Sequence, residues 1–190
     1  MTADSYKIAQ SIETILTGKG WSVATAESCT GGGVAAALTA VPGSSACVKG
    51  GIVAYTEEIK MRLLGVKPET LRDFGVVSRQ TVEEMAQGAM KSMNSDFAVA
   101  TSGVAGPSGG SEEIPVGTIW IAAASRSQVY THCIRRYNEG RALNVQNAVQ
   151  IALEMLQKVV EYEENQPYSQ IIDRIIWLFH KKVVILHAEI

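Results

Sequence analysis

Ile8, Ile12, Ile15 and Leu16 recur three or four residues apart near the start of the chain. This spacing predicts an amphipathic helix over 4–18. Asp4 or Ser5 is placed to cap its start, and Gly18 and Gly20 to end it. Ser22 to Ala26 then reads as a short strand, and Gly31 to Ala40 as a helix. The β-rich run from Ala46 to Tyr55 carries Gly50 and Gly51 in its middle, where a bulge or a close backbone approach is expected. Helices are predicted over 57–64, from Pro68 to Gly75, and from a Ser78 cap to about Met93. Phe97 to Thr101 is a buried strand by its continuous apolar character, followed by a glycine-rich loop over 103–110. Strands at 116–124 and 128–137 form an antiparallel hairpin turned at Ser125 to Ser127. A long helix runs from about 140 to 161.

Helices interleaved with strands, then a hairpin, predict an α/β fold in which helices sandwich a mixed β-sheet. One compact domain is expected over 1–165, with an apolar extension over 166–190. That extension, IIDRIIWLFHKKVVILHAEI after a polar break formed by Glu161, Glu163, Glu164, Asn165, Gln166 and Pro167, has three readings. It is an element docked on the domain or on a second subunit, an interfacial membrane contact, or a segment foreign to the domain. Asp173, Arg174, Lys181 and Lys182 interrupt it too often for a membrane span.

Composition narrows the function classes. Hydrophobic residues make up 46% of the 190 positions and charged residues 19%, so there is enough apolar surface to order a core. With 17 Lys and Arg against 19 Asp and Glu, the net charge is −2, and direct nucleic-acid binding is not expected. The first sixteen residues lack the basic and apolar regions of a signal peptide. The 3 cysteines match neither a disulfide framework nor a zinc pattern. A cytoplasmic protein with no metal, no cofactor and no membrane partner is the expectation.

The densest chemical signal is Thr25-Ala26-Glu27-Ser28-Cys29-Thr30-Gly31-Gly32-Gly33, between a predicted strand and a predicted helix. Such a junction lies at the carboxyl edge of a sheet, where clefts form, and the first-turn N–H groups of the helix favour negative charge there. Ser28 is either a nucleophile whose oxyanion meets backbone donors or simply the cap of the helix. Cys29 beside it is the rival nucleophile. The histidines, His132, His180 and His187, have no acidic partner by position, which leaves a Ser-His-Asp triad weakly supported. A lysine with a lowered pKa is the other base available to a serine. Lys60 is the candidate, or else an ordinary solvated helix charge. The second glycine loop, Thr101-Ser102-Gly103-Val104-Ala105-Gly106-Pro107-Ser108-Gly109-Gly110, also follows a buried strand and should open at the same edge.

The segment TAESCTGGGVAAALTAVPGSSACVKGGIVAYTEEIKMRLLGV, the TSGVAGPSGG loop and Pro115-Val116-Gly117-Thr118-Ile119-Trp120 closely resemble the CinA C-terminal domain family of nicotinamide-nucleotide amidohydrolases, across about 5–160. The resemblance implies a three-layer α/β/α fold. It also implies metal-free hydrolysis of the carboxamide of nicotinamide mononucleotide to nicotinate mononucleotide and ammonia, in pyridine nucleotide salvage. The implied catalytic residues are Ser28, Lys60 and Tyr55, with Tyr55 also able to orient Lys60. Substrate would be bound by Cys29, Thr30, Gly31, Gly32, Ser102, Gly103, Gly106, Gly109 and Arg141. Amides around Cys29 to Gly31, with the Ser102 hydroxyl, would hold the oxyanion. The chain departs from the family pattern at Ser102 (for Thr), at Glu139 ahead of Gly140-Arg141 (for Asp between Gly and Arg) and at Gly33, which is expected to loosen the helix start. A non-catalytic nucleotide-binding module and a competence- or DNA-damage-associated interaction protein are the alternatives. The expected partners are a small-molecule nucleotide and a second copy of the chain in a dimer.

Overall fold

A computed structural model describes residues 2–135 and 138–166. Nearly all of the apolar extension therefore lies outside the described residues. The elements follow the order α1 (Ala3–Lys19), β1 (Val23–Glu27), α2 (Gly33–Thr39), a 3₁₀ turn (Ser44–Ala46), β2 (Val48–Val53), α3 (Glu57–Leu64), α4 (Pro68–Phe74), α5 (Arg79–Met93), β3 (Phe97–Gly103), β4 (Ile119–Ser125), β5 (Val129–Ile134) and α6 (Arg141–Glu164). The sheet order is β2-β1-β3-β4-β5. β2, β1 and β3 are parallel, whereas β4 and β5 run antiparallel to their neighbours.

Two apolar layers sandwich this sheet. On one face α1, α2 and α6 bring Ile12, Leu16, Leu38, Leu153 and Leu156 against Val23, Val99 and Ile121. On the other, Ala24, Ala26, Ala98, Ala100, Ala122 and Ala124 meet Leu64, Leu71, Val82 and Met85 of α3, α4 and α5. The central strands are covered on both sides, so all five residues of β1 are buried, whereas edge strands β2 and β5 alternate. The fold is the expected three-layer α/β/α sandwich around a mixed sheet. Among the described residues, no helix is long and apolar enough to cross a membrane.

Local details differ from the sequence reading. The cap of α1 is Thr2, whose hydroxyl accepts from the Ser5 amide; Asp4 and Ser5 lie inside the helix. β4 begins at Ile119 rather than 116, after Gly117 turns the chain at φ 89°. Helix α6 reaches Glu164. At Gly51 a Cβ would lie 2.3 Å from Thr25 Oγ1, and the β1–β2 register shifts beside Gly50. The glycine pair thus marks both a bulge and a close approach. At Gly33 a Cβ would stand 2.9 Å from Val149 of α6, so this glycine lets the two helices close together.

One contact decides where α3 sits. A Cβ on Gly88 of α5 would lie 1.9 Å from the Leu64 carbonyl oxygen. Only a residue without a side chain lets α5 approach the end of α3 so closely. That packing holds the end of α3, the helix that carries Lys60, against α5.

Candidate active site

The three parallel strands end together. Glu27 of β1 pairs with Val53 of β2 and with Thr101 of β3, so the residues after each strand open at one edge. These are Ser28, Tyr55 and the Ser102–Gly109 loop. They line a cleft of about 430 Å³ with Cys29, Thr56, Glu57, Lys60, Val76, Val77 and Arg141.

At the cleft floor, Lys60 Nζ lies 3.0 Å from Ser28 Oγ and donates to the Ala54 carbonyl at 2.7 Å. Lys60 is 2% exposed and Ser28 8%. Neither bland alternative holds: Lys60 is no solvated helix charge, and the N-cap of α2 is Gly32 rather than Ser28. Burial lowers the Lys60 pKa from its ordinary value, while the charge of Glu57 partly opposes the shift. The chief cause is desolvation rather than a neighbouring cation. In its neutral form the amine has one lone pair, and the Ser28 hydroxyl then donates to it across the same contact.

The rival nucleophile is disfavoured. Burial pushes the Cys29 thiol up to about 12, the opposite of the lowering expected beside a helix start. A thiol with that pKa holds almost no thiolate at neutral pH.

The expected anion site at the start of α2 is already occupied from within. The Glu27 carboxylate, 1% exposed, accepts from the amides of Gly32, Val34 and Ala35 and from the hydroxyls of Thr25 and Thr30. It satisfies the orphan donors of the helix and opposes its dipole. Thr30 also shares a hydrogen bond with Thr101 at 2.7 Å, and Gly31 and Gly32 take φ of 62° and 99° in the turn. Thr30, Gly31 and Gly32 therefore build the turn that presents Ser28, and they do not line the cleft. The Gly31 amide donates to the Ser28 carbonyl. Among the described residues, no acceptor takes the amides of Cys29 or Thr30, which remain as donors beside Ser28.

The Ser28 turn and the GxAGPxGG loop lie within a single match: residues 5–160 fit the CinA C-terminal domain. The chain belongs to the CinA C-terminal domain family. It is 46% identical over 158 residues to a CinA-like protein of Shewanella pealeana, covering 83% of this chain and 37% of that one. It is 43% identical over 174 residues to the nicotinamide-nucleotide amidohydrolase PncC of Shewanella oneidensis, covering 88% and 41%. The chain thus spans about two fifths of the length of these curated relatives. Among solved structures, it is similar to the competence/damage inducible protein CihA of Agrobacterium tumefaciens. That comparison gives a TM-score of 0.82 and 46% identity, covering 85% of this chain and 98% of that one.

Within this CinA domain the remaining expected residues divide by position. Cys29, Ser102, Gly103, Gly106, Gly109 and Arg141 line the cleft. Ser102 donates its hydroxyl proton to the Val76 carbonyl at 2.7 Å. Arg141 donates to the Gly106 carbonyl at 2.9 Å and to the Tyr55 hydroxyl at 3.2 Å. Tyr55 therefore braces Arg141 across the cleft mouth and does not orient Lys60, whose hydrogen-bond partners are Ser28 and Ala54. His132 sits on β5 beside a separate hollow with Cys133. Among the described residues, no group of three His, Cys, Asp or Glu side chains is placed to hold a metal ion.

Sequence reasoning passed over Glu27. Its signal was an acidic residue in the last position of an otherwise small, apolar strand, directly ahead of the turn.

Proposed function

We propose that this chain is a nicotinamide-nucleotide amidohydrolase, releasing ammonia from the carboxamide of nicotinamide mononucleotide through a Ser28–Lys60 dyad. The observation that carries this reading is the 3.0 Å contact between Ser28 Oγ and a buried lysine whose pKa is lowered by desolvation. The printed name of the Shewanella oneidensis relative supports the substrate.

Neutral Lys60 takes the proton of Ser28, and the Ser28 oxygen bonds to the carboxamide carbon. The amide of Cys29, which lines the cleft beside Ser28, receives the oxyanion, where one lost donor typically costs about 10²–10³ in rate. Lys60 returns the proton to the departing nitrogen as the C–N bond breaks, and ammonia leaves an acyl-Ser28. Water, deprotonated by Lys60, then hydrolyses that ester and regenerates the Ser28 hydroxyl. Arg141, braced by Tyr55, and the Gly103–Gly109 loop receive the phosphate. A place in pyridine nucleotide salvage follows from this reaction.

The test is ammonia release from nicotinamide mononucleotide by the purified protein beside the Ser28→Ala variant. Release by the wild type alone is expected. Release by both variants would remove Ser28 as nucleophile, and release by neither would leave a binding module.

A further inference from the structure

The cleft carries two unneutralised charges of opposite sign. Arg141 forms hydrogen bonds only with neutral groups, the Gly106 carbonyl and the Tyr55 hydroxyl, and no carboxylate lies within salt-bridge distance of it among the described residues. Glu57 likewise has no cationic partner among those residues, unlike its neighbour Glu58, which pairs with Arg62 at 3.3 Å. Glu57 opens helix α3 three residues ahead of Lys60, so the two side chains share one face of the helix. Both line the cleft, with Glu57 exposed towards its mouth and Lys60 buried at its floor.

An acid left unpaired in a cleft meant for a phosphorylated ligand needs a reason, because it repels the phosphate. Its charge is close enough to Lys60 to oppose the lowering of that pKa. Glu57, Ser28 and Lys60 line the same cleft, so the Glu57 carboxylate shares that space with the group attached to a carboxamide held between Ser28 and Lys60. In nicotinamide mononucleotide that group is a pyridinium ring with a full positive charge.

We propose that Glu57 is a specificity-determining residue that selects the cationic pyridinium ring, so that the cleft recognises a dipolar ligand with its anionic end at Arg141 and its cationic ring beside Glu57. This rests on the nicotinamide mononucleotide reading above. Within a cleft walled by protein, a single fixed charge acts more strongly than on an open surface. Replacing Glu57 with Gln keeps nearly the same shape, removes the negative charge and exchanges one acceptor oxygen for an NH₂ donor.

The experiment is calorimetric titration of the Ser28→Ala protein, with and without Glu57→Gln, using two ligands. One is nicotinamide mononucleotide; the other is its reduced dihydropyridine form, with the same carboxamide, ribose and phosphate but a neutral ring. Glu57→Gln is expected to raise the Kd of the cationic ligand about 10-fold, while that of the neutral-ring ligand stays within about twofold. Equal weakening of both ligands would overturn the proposal, since Glu57 would then act through shape or hydrogen bonding. An unchanged Kd for the cationic ligand would also overturn it while leaving the amidohydrolase reading intact. Binding of neither ligand to the Ser28→Ala protein would overturn the substrate assignment and this inference together.

Discussion

Lys60 Nζ lies closer to the carbonyl oxygen of Ala54, at 2.7 Å, than to Ser28 Oγ, at 3.0 Å. The carbonyl anchors one N–H of the amine and so turns the remaining valences towards the serine. The residue just after β2 thus supplies the carbonyl that aims the amine carried by α3.

Activity should therefore rise with pH along a single limb set by Lys60. The neutral fraction of the amine grows as pH rises through its pKa, which burial holds below the ordinary lysine value of about 10.4. A pH profile of kcat/KM is expected to level off below that value, and Lys60→Arg, which cannot deprotonate, to lose at least about 10³-fold. A profile still climbing at pH 10.4 would rule out the base role. Stability should follow the same titration. The unfolded chain binds more protons between the lowered native pKa and about 10.4, so folding gains stability as pH rises through that window.

Glu27 holds the turn that presents Ser28, and Glu27→Gln should lower kcat more than it raises KM. A Gln amide has one acceptor oxygen, and its NH₂ would face helix amides that are themselves donors. We expect kcat to fall roughly 10-fold or more, by the strength of hydrogen bonds to a charged acceptor. Steady-state kinetics on variants with matched melting temperatures separates this effect from simple loss of folded protein.

Thiol chemistry should miss the site. With Cys29 6% exposed and its pKa pushed up to about 12, iodoacetamide at pH 7.5 should label the half-buried Cys133 first. Ammonia release should survive that first labelling. Mass spectrometry of the alkylated peptides, set beside residual activity, checks the order.

A stability effect is expected far from the cleft. Glu13 of α1 is 5% exposed, its Oε1 has no hydrogen-bond partner among the described residues, and burial raises its pKa to about 7. The native state holds this proton more tightly than the unfolded chain does. Stability is therefore full below the ordinary glutamate value and declines as pH rises through about 7. Glu13→Gln should leave the melting temperature unchanged at pH 4 and raise it at pH 8, by a free energy on the order of 2 kcal/mol. Equal shifts at both pH values would refute the titration.

Much of the fold was legible because its signals are local. The period of Ile8, Ile12, Ile15 and Leu16, the Ser78 cap and the unbroken apolar run at Phe97 each report an environment that a few neighbours decide. Gly50 and Gly51 could be read as a bulge or a close approach for the same reason. The cap of α1 was misplaced because Thr2, Asp4 and Ser5 are all competent caps. The choice among them depends on where the backbone leaves the helix.

The site was legible only as separate motifs. The resemblance to the CinA C-terminal domain selected Ser28, Lys60, Tyr55 and Arg141, but not what each one touches. Tyr55 pairs with Arg141, 86 residues away, and no spacing rule connects them.

The sequence by itself determined which segments become strands and helices, because hydrophobic period, caps and glycines act over a few residues. The tertiary structure alone decided the state of each ionisable group in the cleft. Desolvation depends on how many atoms from other elements exclude water, and the fold leaves Lys60 only 2% exposed. It likewise decided that the Glu27 carboxylate, and not a bound anion, meets the helix start, since hydrogen bonds of about 3 Å depend on three-dimensional placement rather than on order along the chain.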